Sequence, residues 1–303
     1  MFASHGLRYA SCELEIRRAG RLAKVSPQMP DPVFIVGHWR SGTTLLANLL
    51  SLDSGYFFPT LLEVVSPHDF FPSSLEKISR RLIPLMFPAL RPMDTAPVPL
   101  RRPFPQEDEM AMAAIGAPSF FNAFYFPAAA DETISREVFF DGLRQYEIDQ
   151  WVDSLDSFWR KLSLLHPSKR PLVKNPAHAA RIPILLNRYP PARFILVRRD
   201  PDDVRASMQR LFEHLWADLA LQRYDTIDVR QLVEKLNQQM SERIDRDWAG
   251  MSGNQGLEIS FDDLLAAPET TVEMVQNWLG RSVEADHLRA IKSYLAEFPV
   301  RRK

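Results

Sequence analysis

Cysteine is almost absent from this 303-residue chain. Cys12 stands alone, which excludes an intramolecular disulfide and points to a reducing compartment. A surplus of one charge is lacking too: the formal net charge is −1, so no global basic field draws the chain to nucleic acid and any anion site has to be local. No apolar run reaches the length of a membrane span. The N-terminus has Arg8, Arg17, Arg18, Arg21 and Lys24 spread through it and lacks the apolar core of a signal peptide. These readings predict a cytoplasmic protein without a membrane span. Leu7, Leu14, Ile16 and Leu22 leave a peripheral membrane contact open, beside the plainer reading of a solvated helix packed on the domain. Internal repeats and low-complexity segments are also missing.

What is present is organised around Val33-Phe34-Ile35-Val36-Gly37-His38-Trp39-Arg40-Ser41-Gly42-Thr43-Thr44. Four apolar residues in a row suit a strand covered on both faces. Gly37 and Gly42 permit backbone angles that other residues avoid. Ser41, Gly42, Thr43 and Thr44 then open an apolar helix, whose free N–H groups and positive dipole end form an anion site. The spacing Gly37-x4-Gly42 fits a phosphate-binding loop, but Thr43 stands where a nucleotide hydrolase has lysine.

Downstream, strand and helix signals alternate. A short extended segment is expected near residues 54–60, with Glu63 just past it. Pro84, Pro88, Pro92, Pro97, Pro99, Pro103 and Pro105 mark a long loop, so the chain reads as one domain, 1–303, with a proline-rich excursion at about 66–106 lying over the site. Gln106-Glu107-Asp108-Glu109 starts a helix, where acidic residues suit the dipole. The cluster Phe120, Phe121, Phe124, Tyr125 and Phe126 reads as core or as the wall of an apolar acceptor pocket. Residues 146–165 form an amphipathic helix; 171–174, 193–197 and 257–261 read as strands. This alternation predicts an α/β fold, a central parallel sheet with helices on both faces, and ligands at the carboxyl ends of the strands. Three strands deliver loaded residues there: Arg40 to Thr44, Lys174, and Arg198 with Arg199.

A magnesium nucleotide enzyme on such a loop needs a lysine after the second glycine and a carboxylate at a strand end. Here the lysine is missing and strand 193–197 ends in two arginines, which suits direct guanidinium binding of phosphate without a metal. Arg40-Ser41-Gly42-Thr43-Thr44 resembles the 5′-phosphosulfate loop of sulfotransferases that use 3′-phosphoadenosine 5′-phosphosulfate. Arg199-Asp200-Pro201 with Ser207 resembles that family's 3′-phosphate motif. Lys174-Asn175-Pro176 matches a position where the family carries a lysine near the transferred group, and residues 257–280 resemble its C-terminal strand and helix. The resemblance covers about residues 32–280. Three departures stand out: Arg40 replaces the lysine usual in cytosolic members, Leu45 replaces the aromatic that often follows the loop, and Phe261 replaces a frequent tyrosine.

The resemblance implies a P-loop-like sulfotransferase fold and sulfuryl transfer, without a metal, to a hydroxyl or amine of a lipid, glycan or small molecule. It implies donor binding by Arg40, Ser41, Gly42, Thr43, Thr44, Arg199 and Ser207, with Arg40 and Lys174 stabilising charge. For the base, Glu63 ranks first, Glu107 and Glu109 next, then His178, with His38 and His68 behind. A phosphoryl-transfer enzyme on the same scaffold and an inactive nucleotide-binding module remain as alternatives. The oligomeric state is not legible.

Overall fold

The computed structural model describes residues 31–68, 99 and 104–299. The amphipathic N-terminal stretch, Cys12, most of the proline-rich excursion and the basic residues Arg301, Arg302 and Lys303 lie outside the described residues.

Five strands form one parallel sheet in the order β2-β3-β1-β4-β5. They are β1 (Val33–Gly37), β2 (Tyr56–Phe57), β3 (Arg170–Lys174), β4 (Arg193–Arg198) and β5 (Gly256–Ser260). The most apolar strand, β1, takes the centre and is buried along its whole length. Ile35 lies opposite Lys174 on one side and Ile195 on the other, and Val197 lies opposite Ile259. The carboxyl ends of β1, β3 and β4 therefore share one edge.

The period-two pattern of the strands divides the core between the two faces. Phe34, Val36, Val173, Phe194 and Leu196 pack into one cluster, with the aromatic residues 120, 124, 151, 158, 159, 212 and 216. Val33, Ile35, Leu172, Ile195, Val197 and Ile259 enter the other, with Leu46, Leu50, Val272 and Ile291. A strand that alternates sides and stays apolar on both has to be covered twice, as β1 predicts.

The helices are α1 (Thr43–Ser51), α2 (Leu61–Val65), α3 (Asp108–Ile115), α4 (Asn122–Tyr125), α5 (Ala130–Thr133), α6 (Gln145–Ser163), α7 (Ile182–Arg188), α8 (Pro201–Leu219), α9 (Val229–Trp248), α10 (Phe261–Ala266), α11 (Pro268–Trp278) and α12 (Ala285–Glu297). In α6, Trp151, Leu155, Phe158, Trp159 and Leu162 supply the buried stripe. Asp200 caps α8 by accepting from the N–H groups of Asp202 and Asp203, and Pro201 occupies its first position. Gly280 follows α11 with φ +75.

Three readings are sharpened. The extended segment contains the short strand Tyr56–Phe57 and stays extended at Thr60, the cap of α2, and Glu63 sits inside α2. Phe120 and Phe124 are buried core, packed on Phe212, while Phe126 is exposed. Asp108 and Glu109 stand in the first turn of α3 as expected, and both are buried. The sequence of α3, Asp-Glu-Met-Ala-Met-Ala-Ala-Ile, explains the last: a helix this apolar is pulled inside and carries its acids with it. Among the described residues, no helix is long and apolar enough to cross a membrane.

Candidate functional site

The turn after β1 is built from unusual backbone angles. Gly37, Arg40 and Gly42 have φ of +150, +71 and +102. A Cβ on Gly37 would meet the Val197 carbonyl at 2.6 Å, and one on Gly42 would meet the Phe261 ring at 2.3 Å. Both positions thus need glycine for space as well as angle. Arg40 carries a side chain in the left-handed region, at a cost on the order of 1–3 kcal/mol that the surroundings must offset. Part of the offset is visible: Arg199 Nη1 donates to the Arg40 carbonyl at 3.0 Å. The Arg40 side chain turns the other way, and its Nε donates to Ser207 Oγ at 2.9 Å.

The residues suggested for the two ends of a nucleotide are therefore joined in one cluster. Arg199 lies over the Phe261 ring at 4.6 Å and pairs with Asp203 at 3.2 Å. Its Nε is buried without a hydrogen-bond partner, and so is Ser41 Oγ. Buried polar atoms are ordinarily satisfied, so two such atoms beside a glycine-bounded turn and a helix N-terminus fit an anionic ligand. Thr43 and Thr44 open α1. Arg198 turns outward, pairing with Asp245 at 3.0 Å and Glu258 at 2.9 Å.

Lys174 ends β3 with its side chain buried, and its Nζ donates to Glu107 Oε1 at 2.7 Å. A buried ammonium needs such a partner. Glu107, the N-cap residue of α3, keeps partial exposure; Asp108 and Glu109 do not. Asp108 accepts from Trp159 Nε1 (2.9 Å) and Asn175 Nδ2 (2.8 Å), and it faces His178 Nε2 at 3.1 Å. Glu109 accepts from Arg181 Nη1 (2.9 Å), Asn175 Nδ2 (2.8 Å) and the Phe120 N–H (2.7 Å). Burial pushes the Asp108 carboxyl up, but His178 and the hydrogen bonds from Trp159 and Asn175 outweigh it and hold the group below its ordinary value.

The other base candidates are occupied or remote. Glu63 is buried, and its Oε2 closes a capping box, accepting from the Thr60 N–H at 2.8 Å and from the Thr60 hydroxyl. His178 is fully buried against Phe34 and Trp151. His38 bonds to Ser241 of α9 at 3.0 Å; burial first, then Arg198, lowers it to about 4. His68 is exposed at the end of the described stretch.

Trp159 and Arg181 had no site role in the sequence reading, and Asp108 and Asn175 entered it only as members of their motifs. One signal was available: α3 has no basic residue of its own, so its two acids had to find donors elsewhere in the fold.

Comparison with known proteins gives three findings. The model described as "Sulfotransferase family" matches residues 32–285. The chain is 29% identical over 268 residues to omega-hydroxy-beta-dihydromenaquinone-9 sulfotransferase Stf3 of Mycobacterium bovis, covering 88% of this chain and 67% of that one. Its fold is similar to crystal structures of sulfotransferase STF9 from Mycobacterium avium (TM-score 0.78, 16% identity, 96% of this chain and 74% of that one) and sulfotransferase STF1 from Mycobacterium tuberculosis (TM-score 0.70, 18% identity, 96% and 79%).

Proposed function

Because this chain belongs to the sulfotransferase family, we propose that its donor is 3′-phosphoadenosine 5′-phosphosulfate and its acceptor the hydroxyl of an apolar, lipid-like molecule. The observation that carries the donor is the pair of buried, unpartnered polar atoms, Ser41 Oγ and Arg199 Nε, in one cluster with Arg40 and Ser207. The acceptor class draws on the relative that acts on a hydroxylated menaquinone.

When bound, the donor supplies a sulfuryl group whose bond to the 5′-phosphate oxygen breaks as the acceptor oxygen attacks sulfur. Ser41, Gly42, Thr43 and Thr44 would hold the phosphosulfate end with backbone N–H groups, and Arg199 with Ser207 the 3′-phosphate. Arg40 and Lys174 supply fixed positive charge where negative charge develops on the leaving phosphate and the sulfuryl oxygens. Glu107 takes the acceptor proton. It is preferred over Glu63 because it touches Lys174 and stays partly exposed, whereas Glu63 is spent on its own helix end. Guanidinium and ammonium groups neutralise the phosphates in this scheme, so it calls for no divalent cation.

Thermal unfolding tests the donor. Adenosine 3′,5′-bisphosphate in chelator should raise the midpoint, by about 2.7 kcal/mol of stability at a hundredfold excess over Kd. ATP with magnesium should give a smaller shift. A larger shift with magnesium ATP overturns the donor assignment.

A further inference from the structure

The three acids at the start of α3 reach the end of β3 and the segment that follows it. Glu107 meets Lys174, Asp108 meets Asn175 and His178, and Glu109 meets Asn175 and Arg181. Asn175 is the hinge of this arrangement. It is fully buried, and its one amide nitrogen donates to both Asp108 and Glu109 at 2.8 Å. Its Oδ1 accepts from the Ala177 N–H at 2.9 Å, so both polar atoms of the side chain are held. Trp159 fixes the far oxygen of Asp108 from α6, and Arg181 closes on both oxygens of Glu109 at 2.9 and 3.2 Å.

His178 adds a constraint. Its Nδ1 is buried without a partner while Nε2 faces the Asp108 carboxylate. An ionised Asp108 carboxylate can only accept, so Nε2 carries a proton and donates to it. The buried layer then holds two carboxylates against the Arg181 guanidinium and donors from Asn175, Trp159, His178 and the Phe120 N–H. Such a layer is tolerated only with every oxygen satisfied.

We propose that Asn175, with Asp108 and Trp159, is a set of positioning residues that fixes Glu107 against Lys174 for transfer. The proposal rests on the reading of Glu107 and Lys174 given above. Among the described residues, no side-chain hydrogen bond joins these three to the loop 37–44 or to Arg199 and Ser207, so the donor site is expected to survive their replacement. Displacement of a reacting group by about 1 Å can cost on the order of 100-fold in rate.

The experiment compares steady-state kinetics of Asn175→Ala, Trp159→Phe, Glu107→Gln and Gln276→Ala. Gln276 is the control: it is equally buried and bonded to Tyr56 and Asp53, at the opposite edge of the sheet. Asn175→Ala should lower kcat by about 100-fold, with the donor KM and the stabilisation by adenosine 3′,5′-bisphosphate within twofold of the parent. Trp159→Phe keeps the ring, removes one N–H, and should fall in the same direction by less. Gln276→Ala should lose thermal stability but keep kcat. If Glu107→Gln is inactive and both Asn175→Ala and Trp159→Phe keep kcat within twofold, the positioning role is overturned. It is equally overturned if kcat falls only in proportion to lost stability, as in Gln276→Ala. If Glu107→Gln turns over normally, the underlying reading fails instead, and nothing remains to be positioned. Should Asn175→Ala not fold, Trp159→Phe decides alone.

Discussion

Neighbouring residues of one charge meet different fates here, and burial sorts them. Glu107 stays partly exposed on Lys174, whereas Asp108 and Glu109 are sealed among donors. Arg198 and Arg199 divide in the same way, one on the surface and one over Phe261. His38 supplies a test at this scale. Its folded pKa of about 4 lies below the ordinary 6.5, so between those values the unfolded chain binds more protons than the folded one. Stability should be flat above pH 6.5 and fall, by up to a few kcal/mol, as pH drops toward about 4. Asp108 acts in a lower window: its depressed pKa adds stability that is present above the ordinary carboxylate value and lost as pH falls through its own. Urea midpoints measured from pH 8 down should show the first loss in the parent and not in His38→Gln. The same slope in both proteins would contradict it. The sequence named His38 but could not show its partial burial or its bond to Ser241, 203 positions away.

Among the elements, the β1–α1 turn was the most legible and α3 the least. The turn is local: glycine spacing, the hydroxyl residues and the apolar run beside it dictate a strand, a sharp turn and a helix start. The strand at 193–197, the cap at Asp200 and the amphipathic α6 were legible for the same reason. The layer around Asn175 was not, since its partners come from α3, α6 and the segment after β3, up to 72 positions apart. Neither was the short α2, which takes Glu63 for its own capping box. Gly42 tests the turn. In Gly42→Ala the new methyl collides with Phe261, whose ring lies 2.3 Å from the ideal Cβ position, and the backbone keeps a φ that alanine resists. The variant should lose about 1–3 kcal/mol of stability and its stabilisation by adenosine 3′,5′-bisphosphate. Gly42→Ala combined with Phe261→Ala should cost less than the sum of the two single variants, because the collision is then absent. Full retention of ligand stabilisation in the single variant would show that the turn does not hold the ligand.

At the scale of the molecule, one parallel sheet gathers groups from across the sequence along a single edge. Arg40 and Ser41 come from the end of β1, Lys174 from β3, Arg199 from β4, Ser207 from α8 and Glu107 from α3. The sheet and its two apolar faces followed from alternation and strand composition alone. The aromatic residues near position 120 were open between core and acceptor wall, because composition cannot say which side of a helix faces a cavity; Phe212 and Trp39 settle Phe120 into the core. The most direct test of sulfuryl transfer at this edge is single-turnover transfer of a labelled sulfuryl group from 3′-phosphoadenosine 5′-phosphosulfate to a hydroxylated lipid acceptor, in chelator, by the parent chain and by Lys174→Ala. The parent should form labelled sulfate ester without added metal, and Lys174→Ala should do so roughly 100- to 1,000-fold more slowly. Transfer that needs a divalent cation, or that proceeds at the parent rate in Lys174→Ala, would contradict this.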